Sequence, residues 1–117
     1  MGLYLSGGSA HTRNIGSLLS NPGASVAICD TGPLPSGLYL VEFLFTASAA
    51  SRVSIRHRNA ADSGNIWAFN VDVPADMTIP INLLKDNAAT DESYDAVTVT
   101  GPGAGETLQG AVWCFAL

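Results

Sequence analysis

Two runs of alternating side chains, residues 52–59 and 65–73, constrain this chain more than any other feature. In the first, Val53, Ile55 and His57 fall on one side and Arg52, Ser54, Arg56 and Arg58 on the other. In the second, Trp67, Phe69, Val71 and Val73 oppose Ala68, Asn70 and Asp72. Successive side chains of a strand point to opposite faces, so a period of two with one apolar side is the pattern of a half-buried β-strand. The intervening Ala60-Ala61-Asp62-Ser63-Gly64 has turn chemistry: Asp and Ser bond nearby backbone, and Gly accepts positive φ. Closing the pair as a hairpin about Asp62 sets Val53 opposite Val71, Ile55 opposite Phe69 and His57 opposite Trp67. Ser54 then meets Asn70, and Arg52 meets Asp72. A slip of one residue would turn Asp72 into the core, so the register is strongly specified. Val53, Ile55, His57, Trp67, Phe69 and Val71 are therefore the expected core residues of this hairpin.

The rest of the chain repeats the theme. Residues 26–29, 38–45, 77–83, 95–100 and 109–117 are short apolar or alternating runs. Breaker-rich stretches separate them, such as Gly32-Pro33-Leu34-Pro35-Ser36-Gly37 and Gly101-Pro102-Gly103-Ala104-Gly105. No segment holds a helical period over about eleven residues, although residues 15–19 have room for one helical turn. These patterns predict an all-β fold, an antiparallel β-sandwich of about seven to eight strands over residues 22–117. Residues 1–21 precede it as an N-terminal strand or docking arm. Pro80 cannot donate to a ladder, so residues 77–83 are expected at a sheet edge, with Met77, Ile79, Ile81 and Leu83 inward. Residues 85–93 are polar and acidic and read as an exposed loop. A chain of 117 residues forms one domain that leaves about 6,000 Å² exposed, roughly a third of its unfolded surface.

The run at 38–45 is unusual because both of its faces are apolar. Tyr39, Val41, Phe43 and Phe45 share one side, and Leu38, Leu40 and Leu44 the other. A strand of this kind is covered on both sides, the second cover being either another subunit or the N-terminal segment of the same chain. The apolar run ending at Leu117 is expected in the middle of a sheet or at a subunit interface, since loose ends are normally polar and solvated. Charged residues make up only 13% of the chain, about half the usual share. That fits a surface partly hidden by partners.

The candidate chemistry is sparse. A net charge of −5 argues against direct nucleic-acid binding, whose footprint is basic. Arg52, Arg56 and Arg58 place three of the five cations on one strand face. At ~7 Å spacing neighbouring members repel by roughly 0.6 kcal/mol even in water. They need carboxylates, with Asp72 and Glu42 as intrachain candidates, or else acidic groups on a second protein. His57 beside Trp67 reads as a core histidine. His11 is the only other histidine, and no His-x-His or Cys-x-x-Cys spacing exists, so no metal site is expected. No serine sits in a Gly-x-Ser-x-Gly elbow, and no catalytic residue or cofactor is expected. Cys29 and Cys114 lie in apolar runs and read as buried free thiols. Tyr4, Tyr39 and Tyr94 are candidate sugar-stacking aromatics, Tyr94 the best of them. No apolar run approaches ~18 residues and no secretory signal is visible, so no membrane association is expected. Met1-Gly2-Leu3-Tyr4-Leu5-Ser6 matches a short myristoylation pattern but reads as an ordinary strand or arm.

Three segments resemble small virion proteins of tailed bacteriophages: Gly37-Leu38-Tyr39-Leu40-Val41-Glu42-Phe43, Arg56-His57-Arg58-Asn59-Ala60-Ala61 and Asn65-Ile66-Trp67. The resemblance covers roughly positions 37–73. It implies a jelly-roll or tumour-necrosis-factor-like sandwich, without enzymatic activity, that serves as a capsid decoration or cement subunit. It further implies a homotrimer on the capsid surface of the virion, made in the cytoplasm of a bacterial host and contacting the major capsid protein. A neck, fibre or tail-adaptor protein and a carbohydrate-binding β-sandwich module are the alternatives. On this reading the contact residues are Arg52, Arg56, Arg58, Leu38, Leu40, Leu44 and Leu117.

Overall fold

The period-two patterning produces nine strands: β1 (Ala10–Ile15), β2 (Leu19–Ser20), β3 (Ala27–Asp30), β4 (Gly37–Ala47), β5 (Ser51–Arg58), β6 (Asn65–Val73), β7 (Thr78–Asn87), β8 (Ser93–Thr100) and β9 (Thr107–Ala116). The structure is a computed structural model that describes residues 10–60 and 63–117. β5 and β6 pair antiparallel in the register expected from sequence. Val53 faces Val71, Ile55 faces Phe69, His57 faces Trp67, Ser54 faces Asn70 and Arg52 faces Asp72. The connecting turn is organised by Asn59. Its Oδ1 accepts from the backbone N–H groups of Ser63 at 2.9 Å and Gly64 at 3.0 Å.

The strands form two sheets. One has the order β1-β9-β4-β7, with β2 also paired to β9; the other has the order β3-β8-β5-β6. All strand pairings are antiparallel. The pairs β1·β9, β3·β8, β4·β7 and β5·β6 are nested, each enclosing the next in sequence. This is one long hairpin rolled up until β4 meets β9 and β5 meets β8. The eight long strands thus make an antiparallel sandwich of jelly-roll topology, which closes a core between two four-stranded sheets.

The core is built from one face of each strand. Val41, Phe43 and Phe45 of β4 and Leu108, Val112 and Cys114 of β9 meet Val53 and Ile55 of β5 and Tyr94 and Ala96 of β8. The Phe43 and Phe45 rings stack at 5.8 Å. Gly110 on β9 makes room for this packing. A Cβ there would lie 2.6 Å from Cγ2 of Ile28 and 2.9 Å from Cδ1 of Phe45.

Several expectations need correction. Residues 15–19 form no helix; Leu19 and Ser20 pair with Leu108 and Thr107 instead. Residues 10–20 therefore belong to the sandwich, and an arm at 1–9 lies outside the described residues. In the polar stretch 85–93 only residues 88–91 form the exposed turn that was expected. β7 continues to Asn87, and Asn87, Glu92 and Ser93 are buried. Phe69, read as core, is 38% exposed, and Trp67 and Val71 are only half-buried. Alternation gave these side chains the right direction, but β6 is an edge strand, so coverage is incomplete. Met77, expected inward, precedes β7 and is exposed.

Candidate functional site

Three places gather side chains that bear on function. The first is a buried polar cluster at one end of the sandwich. Nε2 of His57 lies 2.9 Å from Oε1 of Glu92, with both side chains buried. The His57 ring stacks on Tyr94 at 4.4 Å and meets Trp67 edge-on at 5.8 Å. The Tyr94 hydroxyl donates to Oδ1 of Asn87, and burial pushes the phenol well above its ordinary pKa. Lys85 Nζ lies 4.1 Å from the Trp67 ring centroid, a cation–π contact. His57 is thus a core histidine, held by a carboxylate that lies 35 residues away in the chain. Sequence reading placed that carboxylate in a loop. Tyr94 and Tyr39 are both buried and present no face to a sugar; Tyr4 lies outside the described residues. Glu92→Ala leaves a buried imidazole N–H unpaired and is expected to cost about 1–3 kcal/mol, read by urea unfolding of the two proteins side by side.

The second place is the outer face of the β5 sheet, which carries the arginine stripe. Arg52 Nε donates to Asp72 at 2.8 Å. Arg56 forms a two-pronged pair with Asp95 of β8 at 2.7 and 2.6 Å, and this pair is mostly sheltered from water. Arg58 donates to Oδ1 of Asn65. Glu42, a suggested counter-charge, stands on the other sheet and balances none of them. The partner that sequence reading missed is Asp95, because β5 pairs with β8 across a long connection and places Asp95 directly opposite Arg56. The stripe is therefore engaged largely within the chain.

The third place is the outer face of the β4 sheet, and it is apolar. The pairing registers lay its side chains out in rows. Ile15, Ala111, Leu44 and Pro80 form one row; Phe115, Leu40 and Leu84 form another. Between them runs a mixed row of Arg13, Trp113, Glu42 and Asn82. Leu38 lies at the end beside Leu117, whose N–H donates to the Leu38 carbonyl at 3.0 Å. Leu38 is 44% exposed, Leu84 63% and Leu117 53%. Leu44 is exposed, whereas Leu40, Trp113 and Phe115 are half-buried. Two shallow grooves flank Leu44 and Trp113, one running toward Ile15 and the other toward Pro80. Among the described residues nothing from the chain covers this face. The structure thus splits the residues expected at contacts. The leucines gather on one outer surface and the arginines on the opposite one. Ile15, Leu84, Trp113 and Phe115 join the leucines; for Trp113 and Phe115 the signal was already present in residues 109–117, which are apolar on both faces just as residues 38–45 are.

In plan, four strands about 4.8 Å apart and roughly ten residues long cover about 600 Å². A typical monomer leaves at most roughly 300–600 Å² of contiguous apolar patch exposed, and a standard protein interface takes about 800 Å² from each partner. With its polar row included, this sheet face is at the top of the monomer range and short of a standard interface.

Little else in the molecule offers chemistry. Among the described residues no three His, Cys, Asp or Glu side chains are grouped to hold a metal ion. Cys29 and Cys114 are free and buried. Burial pushes each thiol up to about 12, with Asp95 and Asp30 adding to the shift at Cys29. Both are therefore poor nucleophiles near neutral pH. Among the described residues no helix is long and apolar enough to cross a membrane.

No family model matches the chain, and no curated protein matches it in sequence. Among solved structures, it is similar to a carbohydrate-binding module, CBM4, with a TM-score of 0.47 and 16% identity over 85% of this chain and 78% of that one. It is also similar to a chain from infectious bursal disease virus, Gx strain, with a TM-score of 0.48 and 10% identity. That match covers 93% of this chain but only 30% of the viral one. The jelly-roll assignment rests on the strand order itself.

Proposed function

We propose that this protein is a non-enzymatic virion structural protein of a tailed bacteriophage, a decoration subunit that works as a homotrimer on the capsid surface. One observation carries the reading: the outer face of the β4 sheet carries Leu38, Leu40 and Leu44 on β4 and Ala111, Trp113 and Phe115 on β9, interrupted by Glu42, and nothing in the described chain covers it. An antiparallel sheet usually solvates one face. This one would bury both, as a subunit packed against its copies does. The resemblance of residues 37–73 to phage virion proteins supplies the setting and the second partner, the major capsid protein. Three copies held together would attach to a capsid at three points, so that modest individual contacts add to firm binding.

The test is cosedimentation of the purified protein with capsids that lack it. The reading predicts saturable binding, with one trimer per local three-fold position and a capsid that resists heat or chelator better than the bare shell. Binding to a glycan panel with none to capsids would instead favour a carbohydrate-binding module.

A further inference from the structure

We infer that the outer face of the β4 sheet is closed by a second copy of this chain, and that an intermolecular ion pair between Arg13 and Glu42 sets the register of that contact. The inference deepens the assembly reading above and rests on its self-association, though not on the capsid as partner.

Most of the cations find a partner within the fold. Arg52 and Arg56 meet Asp72 and Asp95, Arg58 meets Asn65, and Lys85 lies over Trp67. The fifth cation, Arg13, is exposed on the edge strand β1. Among the described residues no carboxylate lies within ion-pair distance of it. Glu42 is half-buried in the middle of the apolar face, and among the described residues no cation reaches it. Both belong to one row across the sheet, one strand to either side of Trp113. Their backbones are therefore about 10 Å apart, with Trp113 between them, and the two side chains do not pair in the structure.

A carboxylate in the centre of an apolar contact surface limits what can cover it. Any partner that buries Leu44 and Trp113 also takes Glu42 out of water, and an unpaired buried charge is strongly unfavourable. The occupant must bring a cation to Glu42 and accept Arg13. A second copy does both with this same surface. Arg13 stands at the sheet edge and Glu42 at its centre. When the β1 edge of one copy lies across the β9–β4 rows of the next, Arg13 is delivered to the neighbour's Glu42. This is a head-to-tail contact, the kind that closes a ring when the rotation allows. It also explains how a chain of net charge −5 associates with itself: the contact matches opposite charges where like charges would otherwise meet.

Charge reversal tests the pairing. Sedimentation equilibrium of the full chain would be run for the parent, Arg13→Glu, Glu42→Arg and the double reversal. Circular dichroism would confirm that each is folded. Each single reversal is expected to weaken self-association at least tenfold, and the double reversal to return it to within about threefold of the parent. If Glu42→Arg lowers the melting temperature, the cycle is run with Arg13→Gln and Glu42→Gln, where losses that fail to add up mark the pair. Unchanged association in the single variants, or losses that simply add in the double, would overturn the proposal. So would variants that lose capsid binding while associating normally. A protein that shows the charge-swap rescue yet ignores capsids would sink the virion reading and leave this pairing in place.

Discussion

If the β4 sheet joins copies as proposed, Leu44→Asp is expected to yield a folded 12.1 kDa monomer. Leu44 lies between the two grooves of the β4 sheet, with Ala111 and Pro80 as its cross-strand neighbours. Its side chain points away from the core and is 36% exposed, so an aspartate there keeps access to water in the monomer. In the assembly the same carboxylate would be desolvated with no cation beside it. That costs several kcal/mol, or roughly a thousandfold or more in the dissociation constant. Light scattering across a concentration series reads the change in mass. The melting temperature of the variant, measured at concentrations where both proteins are monomeric, should stay within a few degrees of the parent.

The adjacent residue should behave in the opposite way. Phe45→Ala removes a ring that is fully buried, stacked on Phe43 and seated against Gly110. Large-to-small changes of this kind cost about 3–5 kcal/mol, a substantial part of the 5–15 kcal/mol that holds a typical domain folded. The midpoint of thermal unfolding should fall by more than about 10 °C. Because assembly adds stability that depends on concentration, the comparison belongs in the monomeric Leu44→Asp background, read by urea unfolding. The two neighbours thus separate the two faces of one strand: one face holds the fold together, and the other is the face proposed to hold copies together.

Much of this was legible in the sequence because period two is a local signal. The pairing of Val53 with Val71 and of His57 with Trp67 followed from alternation and one turn. The double apolar face of β4 followed from the spacing of Leu38, Leu40 and Leu44. What stayed hidden was non-local or depended on coverage. Asp95 was invisible as the partner of Arg56 because the β5–β8 pairing spans a long connection, and local periodicity carries no information about which distant strands meet. Asn87, Glu92 and Tyr94 looked solvated because they sit in a polar stretch. They are buried because the topology supplies each with a partner, and hydrogen bonding makes burial of polar groups tolerable. Phe69 was read as core because alternation reports direction alone; its edge position leaves it partly uncovered. Glu42 was read as a partner for the arginine stripe, yet charge matching along the chain cannot tell which sheet a carboxylate will join.

Sedimentation equilibrium of the unmodified chain at micromolar concentration tests the central claim most directly, since a face that joins copies should find its partner in a solution of identical chains. The account predicts a species of three times the 12.1 kDa chain mass. A single 12.1 kDa species that persists as the concentration rises would contradict it.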